Sequence, residues 1–402
     1  MKRTPTVAVL LLGLLIIASA AERPILILIS IDGWRWDYLA RFKPPTLTAL
    51  AQRGVISEGL IPTFPSKTFP NHYTLVTGLY PGRHGIVSNN MRDPALSGVF
   101  GLDNDEVQKD TRWWGGVPLW VTVEAQGHIA GTMFWPGSDV EIAGDRPTKW
   151  RPYDHDYPNI RRVQDVLGWL GEPESSRPTF ITLYFSDVDS AGHDYGPDSP
   201  ELEKAVRDID VELGGLIAGI RAAGVESHTN LVVVSDHGMA PNTRGRTIVL
   251  EDYINLADVD VIDWSPIVGV SPKDGRSVDA LYLALKDKHP ALAVYRNAEL
   301  PERYRLAGHP RYPAVIGVAD DGWDVVSRQR MTRDYGERGN HGYDPVHQSM
   351  HGLFIAAGPT FREGLKAPRF ESVHVYELLS RALGVRPAAN DGDPSVTASF
   401  FK

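Results

Sequence analysis

The sequence predicts an α/β fold built on a doubly wound, mostly parallel sheet, and three observations carry that reading. Short apolar runs at Ile25–Ile31, Phe180–Phe185 and 231–234 lack the polar alternation of a half-exposed strand. Helical patterns lie between them, and carboxylates follow each run: Asp32, then Asp187 and Asp189, then Asp236. Strands alternating with helices, with polar groups gathered where strands end, describe an open sheet that binds ligands beyond its carboxyl edge.

In chain order, Lys2 and Arg3 precede an apolar run over 7–17 and then Ala18-Ser19-Ala20, which reads as a secretory signal over 1–20. The run is short of the ~20 residues that cross a bilayer. Export with cleavage is expected, leaving a mature chain of 21–402 with no transmembrane anchor, in the periplasm or secreted. The first strand delivers Asp32. In 62–73, Pro70 suits the first position of a helix, which puts Thr68 or Phe69 near its N-cap and continues it over 73–79. The second apolar run leads to Asp189 and His193, four apart with Gly192 between, in a stretch expected to fold back on one ion. The clearest helix covers 200–223, opened by Ser199 and Pro200, with Leu202, Val206, Ile209, Leu213, Leu216 and Ile217 on its apolar face and Gly224 as its stop. From about 242 to 340 the pattern loosens and grows rich in Asp, Arg, Tyr and Pro. That stretch is expected to be a smaller lobe inserted into a single catalytic domain, with a strand over 280–285, before buried-strand character resumes over 353–357.

Composition narrows the chemistry. A formal net charge of -9 offers no broad positive field for polyanions, so a nucleic-acid-coating surface is excluded and any phosphate must be held locally, with metal ions as the source of charge. There are no cysteines, which removes disulfides, thiolate metal sites and a cysteine nucleophile together. What remains is Asp and His. Carboxylate and neutral imidazole suit zinc, and Asp189 with His193 plus one ligand from elsewhere would leave a position open for substrate. Asp32, Asp236 and His237 supply the same ligand types from two other strand ends. Two such sites about 3.5–4 Å apart would clamp the attacking and leaving oxygens of one phosphoryl group. Thr68, at a helix N-terminus that attracts anions, needs a cation to act as a nucleophile.

The strings PTFPSKTFPNHYTLVTGLYPGRHGIVSNNM, DVDSAGHDYGP, SDHGM and GNHGYD…MHGLFIAAGP resemble the nucleotide pyrophosphatase/phosphodiesterase family of the alkaline phosphatase superfamily, over nearly the whole mature chain. The resemblance implies an alkaline-phosphatase-type sheet and two zinc ions. It implies that Asp189, His193 and His341 hold one zinc, and that Asp32, Asp236 and His237, with Thr68, hold the other. Thr68 is then the nucleophile of a phosphothreonine intermediate, and Asn89 donates its side-chain amide to the developing phosphoryl charge. Phe69 and Tyr184 match positions that sandwich a nucleobase, with Tyr153 a further candidate; for Trp113 and Trp114 core packing is the better account. His72 and His84 receive no catalytic role.

Lys67 and Phe69 flank Thr68, and an aromatic neighbour suits a diester, which has one charge fewer than a monoester and a second substituent to place. The expected partner is a nucleotide or another small phosphodiester. A phosphomonoesterase, a phosphonate hydrolase or a lipid-headgroup phosphodiesterase is the alternative within the same chemistry, and a non-catalytic metal-binding protein the alternative outside it. The acidic loop 103–106 lacks the alternating ligands and glycine of a calcium loop and reads as solvated.

Overall fold

The computed structural model describes residues 23–331 and 338–402, so the expected signal segment lies outside the described residues. Eight strands form the main sheet. In chain order they are β1 (Ile25–Ile31), β2 (Val55–Ser57), β3 (Ala130–Met133), β4 (Lys149–Trp150), β5 (Phe180–Phe185), β6 (Thr229–Val234), β11 (Phe354–Ala357) and β12 (Leu365–Ala367). They lie side by side in the order β12-β2-β11-β6-β1-β5-β3-β4. Every pairing is parallel except those of β11 with β6 and β2. Every residue of β1 is buried, because helices cover both faces of the sheet and leave no polar side to a central strand.

The helices that matter for function are α1 (Thr68–Thr77), α2 (Asn159–Leu170), α3 (Asp187–Tyr195) and α4 (Pro200–Ala222). In α4 the Ser199 hydroxyl accepts the Leu202 N–H, and Leu202, Val206, Ile209, Leu213, Leu216 and Ile220 are buried; Ile217 is only partly covered. A second sheet is built from β7 (Val259–Asp263), β8 (Ile267–Pro272), β9 (Leu292–Arg296) and β10 (Val315–Ala319), all antiparallel in the order β7-β8-β10-β9.

One local expectation fails here. Residues 280–285 are not a strand but most of α5 (Val278–Leu285), capped by Ser277, whose hydroxyl accepts the Ala280 N–H. A strand would bury residues 281, 283 and 285 together. Leu281, Tyr282 and Leu285 are buried while Leu283 is 62% exposed, which is helical spacing. Among the described residues no helix is long and apolar enough to cross a membrane.

Candidate active site

Three neighbouring strands of the main sheet, β5, β1 and β6, end in ligand-type side chains. Register pairs Ile31 with Phe185 and Ser30 with Val234, so Asp32, the head of α3 and the Asp236-His237 pair emerge together at one edge. Asp32 N–H donates to the Phe185 carbonyl at 2.9 Å, extending the β1–β5 ladder to the ligand itself. Gly33, at φ +67°, has no room for a side chain: a Cβ there would sit 2.8 Å from the Asp189 Cα. That absence lets α3 come down onto the end of β1.

Asp189 and His193 are one helical turn apart on α3, with His193 Nε2 3.5 Å from Asp189 Oδ2. The fold-back expected from Gly192 is therefore replaced by a helix. Gly192 instead admits Met239, whose Cε would be 2.8 Å from a Cβ at that position. His341 follows the strand Arg338–Asn340 and brings Nε2 to 3.6 Å from Asp189 Oδ1. In the second group His237 Nε2 lies 2.9 Å from Asp236 Oδ2 and 3.4 Å from Asp32 Oδ1. Within each trio the ligand atoms lie no more than 4.8 Å apart, and these are the two groups among the described residues that could hold a metal. The two trios touch, for the His237 and His341 rings stack with centroids 3.5 Å apart.

The hydrogen-bond pattern fits a cation. His193 Nδ1 faces the Gly339 carbonyl at 3.1 Å, His237 Nδ1 the Gly238 carbonyl at 2.9 Å and His341 Nδ1 the Ser66 carbonyl at 2.9 Å. A carbonyl only accepts, so each Nδ1 carries the proton and each Nε2 turns a lone pair toward the carboxylates. Asp32 Oδ1, Asp189 Oδ1 and Asp236 Oδ2 are buried and accept no hydrogen bond. Buried carboxylate oxygens left without a donor, beside imidazole lone pairs, are the donor set of a metal site. Burial, then the charges of Asp236 and Asp189, pushes the Asp32 carboxyl well above the usual carboxylate range. Burial, then His237 and His193, holds the His341 imidazole well below its ordinary value.

Thr68 is the first residue of α1, with extended Lys67 at the cap position, so the helix starts two residues earlier than Pro70 suggested. Pro70 is tolerated because the first four N–H groups of a helix have no partner within it. Gly78, at φ +64°, ends the helix one residue after Thr77, short of the expected 79. Thr68 Oγ1 lies 3.4 Å from His237 Nε2, at the edge of the second trio. The Phe69 N–H donates to Asn89 Oδ1 at 2.9 Å, so the Asn89 amide caps the helix through its oxygen while its NH2 takes no part in the helix.

Sequence reasoning missed three residues around Thr68. Asn71 staples the loop: its Oδ1 accepts the Thr63 N–H at 2.7 Å, and its NH2 donates to the Pro65 and Lys67 carbonyls at 2.9 Å. His72 joins α1 to the second trio, with Nδ1 2.9 Å from the Thr68 carbonyl and 3.3 Å from Asp236 Oδ2, and Nε2 2.8 Å from Ser30 Oγ. Asp263, at the end of β7, binds Lys67 with both oxygens and also accepts from Ser88 Oγ. An asparagine and a histidine inside an apolar helical run were the available signals for the first two.

The aromatic candidates divide. The Tyr184 hydroxyl donates to Asp32 Oδ2 at 2.7 Å, and its ring stands edge-on to Tyr153 at 6.1 Å. Tyr153 is 53% exposed, open to a ligand. Phe69 is half-buried and packs on Phe100 and Trp114. Trp113 and Trp114 are buried in the core. In the acidic loop, Glu106 pairs with Lys109 at 2.7 Å.

The family model described as type I phosphodiesterase/nucleotide pyrophosphatase matches residues 26–344. The chain belongs to that family. Human ectonucleotide pyrophosphatase/phosphodiesterase family member 5 is 37% identical over 91% of this chain and 76% of its own length. A bis(5'-adenosyl)-triphosphatase of Xenopus laevis is 36% identical over 94% of this chain and 81% of its own. Among solved structures, human ectonucleotide pyrophosphatase/phosphodiesterase 5 superposes with a TM-score of 0.90 at 35% identity, covering 94% of this chain and all of that one. An inactive threonine-to-alanine variant of the murine protein, in complex with AMP, superposes at 0.89 over 95% of this chain. These relatives are named as pyrophosphatases or phosphodiesterases, so this type I phosphodiesterase family member is a hydrolase with the alkaline-phosphatase-type sheet expected of it.

Proposed function

We propose that this protein is an exported two-zinc phosphodiesterase and nucleotide pyrophosphatase that cleaves nucleotide esters or anhydrides through a phosphothreonine at Thr68. The observation that carries the reading is the Thr68 hydroxyl, 3.4 Å from His237 Nε2, at the N-terminus of a helix that faces two acceptor-only trios. Asp189, His193 and His341 would hold one zinc; Asp32, Asp236 and His237, with Thr68, the other. Zinc held there would supply Lewis acidity to the Thr68 oxygen and to the charge of the phosphoryl group.

The chain's own groups do the rest. Thr68 Oγ attacks phosphorus in line while the Asn89 NH2 donates to a non-bridging oxygen. The alcohol or phosphate leaves, and water then hydrolyses the phosphothreonine. Tyr184 and Tyr153 offer ring surface to a base, with Phe69 the opposite candidate. The AMP complex of the murine relative and the dinucleoside substrate in the Xenopus name support a nucleotide. Selectivity against monoesters follows from Lys67: its ammonium is already paired with Asp263 and offers no free charge to a second phosphate anion. The inserted lobe, about 242–340, thereby contributes to the substrate preference of the domain that runs from residue 21.

The deciding experiment compares p-nitrophenyl thymidine 5'-phosphate, p-nitrophenyl phosphate and p-nitrophenylphosphorylcholine with zinc-loaded protein. Fastest turnover of the nucleotide diester supports the reading. A preference for either of the others would replace it with a monoesterase or a headgroup phosphodiesterase.

A further inference from the structure

Arg162 is among the largest fully buried side chains of the molecule, at 2% exposure. It occupies the fourth position of α2, near a helix N-terminus that disfavours a cation, and burial lowers the tendency of its guanidinium to hold a proton. Helix stability does not explain it. Its donors instead go to three main-chain carbonyls: Nη1 to Tyr184 at 3.0 Å, Nη2 to His155 at 3.1 Å and Nε to Tyr157 at 2.9 Å. Its carbon also lies 5.0 Å over the Phe134 ring.

These contacts surround one place. Tyr184 carries the ring bonded to Asp32, and 155–157 is the segment into which the chain passes just after Tyr153. Phe134, beneath the guanidinium, stands edge-on to Tyr153 at 5.2 Å and to Tyr157 at 6.0 Å. One planar fork thus fixes the end of β5, the loop after Tyr153 and the ring that supports Tyr153. A lysine, with a single point charge, cannot satisfy three carbonyls in that fan.

We propose that Arg162 is a positioning residue for substrate selection: it fixes the Tyr153 ring relative to the Tyr184 ring, and so sets the surface that receives a planar base. The proposal rests on the nucleotide reading above. It touches no reacting atom, so its loss acts on base binding and spares the phosphoryl chemistry.

The test measures kcat and KM for Arg162→Lys and Arg162→Met with p-nitrophenyl thymidine 5'-phosphate and with methyl p-nitrophenyl phosphate, which has no base. We expect KM for the nucleotide ester to rise about tenfold, the lower part of the range for one base–aromatic stack, with kcat/KM for the methyl ester within about twofold of the parent. Phe134→Leu, which removes the ring under Tyr153 and leaves the guanidinium in place, should show the same split if the arginine variants do not fold. Equal losses on both esters, or an unchanged KM for the nucleotide ester in a folded variant, overturn the proposal. The parent enzyme judges the underlying reading separately. If it does not prefer the base-bearing ester, the nucleotide assignment falls and Arg162 falls with it; if it does and the variants keep that preference, the proposal about Arg162 alone is wrong.

Discussion

The Lys67 ammonium lies 2.7 Å from each carboxylate oxygen of Asp263, so the residue before Thr68 is bound by a side chain nearly two hundred positions away. Both side chains are buried, and Ser88 adds a hydroxyl to the same carboxylate. Removing one partner leaves the other charged and buried without a counter-charge. Asp263→Leu and Lys67→Met should each lower unfolding stability by about 3–5 kcal/mol, whereas the double variant should be less damaged than either. Urea denaturation of the four proteins checks this. Additive losses would show that the pair is not coupled.

Thr68→Ala should abolish diester turnover and leave metal content near two zinc equivalents, because the six Asp and His residues of the two trios are untouched. Thr68→Ser should keep measurable turnover, having lost only a methyl group. Metal analysis beside steady-state kinetics gives both readouts. Turnover by the alanine variant within about tenfold of the parent would move the nucleophile elsewhere.

Asn89 can be tested for two separable roles. Its oxygen caps α1 through the Phe69 N–H, and its NH2 is the proposed donor to the phosphoryl group. Asn89→Ala should lower kcat by roughly 10²–10³-fold, as for loss of one oxyanion donor, and cost about 1 kcal/mol of stability as a lost cap. Asn89→Asp keeps the acceptor and loses the donor, so it should restore stability without restoring kcat. Recovery of both would assign Asn89 to capping alone.

His84 should make stability depend on pH. Burial pushes its imidazole down to about 3, and its Nδ1 accepts the Ile86 N–H. In the unfolded chain the same ring takes up a proton near about 6.5. Between those values the unfolded state binds more protons than the folded state, so stability rises with pH through that window and levels off above it. The slope from this one group approaches about 1.4 kcal/mol per pH unit. Thermal melts from pH 4.5 to 7.5 in excess zinc should be shallower for His84→Gln than for the parent. Identical slopes would assign the acid sensitivity to other groups.

The parts of the fold readable in advance were those specified locally. A run such as Ile25–Ile31 admits little but a doubly covered strand, and Ser199-Pro200 starts a helix through its own side chains. Asp189 with His193, and Asp32 with Asp236 and His237, were readable from ligand chemistry at strand ends, whereas His341 as the third member of its trio was implied only by the family resemblance. The segment holding Gly192 misled because its Gly, Ser and Asp residues have weak helix propensity, and packing against α4 and the strand at 338–340 overrode it. His72, Arg162 and Asp263 stayed hidden for another reason. Each acts through a partner, Asp236, Tyr184 or Lys67, that only the tertiary fold brings near.

The place of β1 in the sheet has a consequence for synthesis. Leu26 pairs on one side with Phe180 and on the other with Asn230, so the first strand of the main sheet has neither edge covered until strands far along the chain are made. Until the chain has grown past those residues, the uncharged segment ILILISI carries two open rows of backbone donors and acceptors. Such a segment is a template for pairing with a neighbouring copy. The strand that delivers Asp32 to the site is therefore also a point at which a nascent chain is exposed to aggregation, and where a chaperone that shields newly made chain would act.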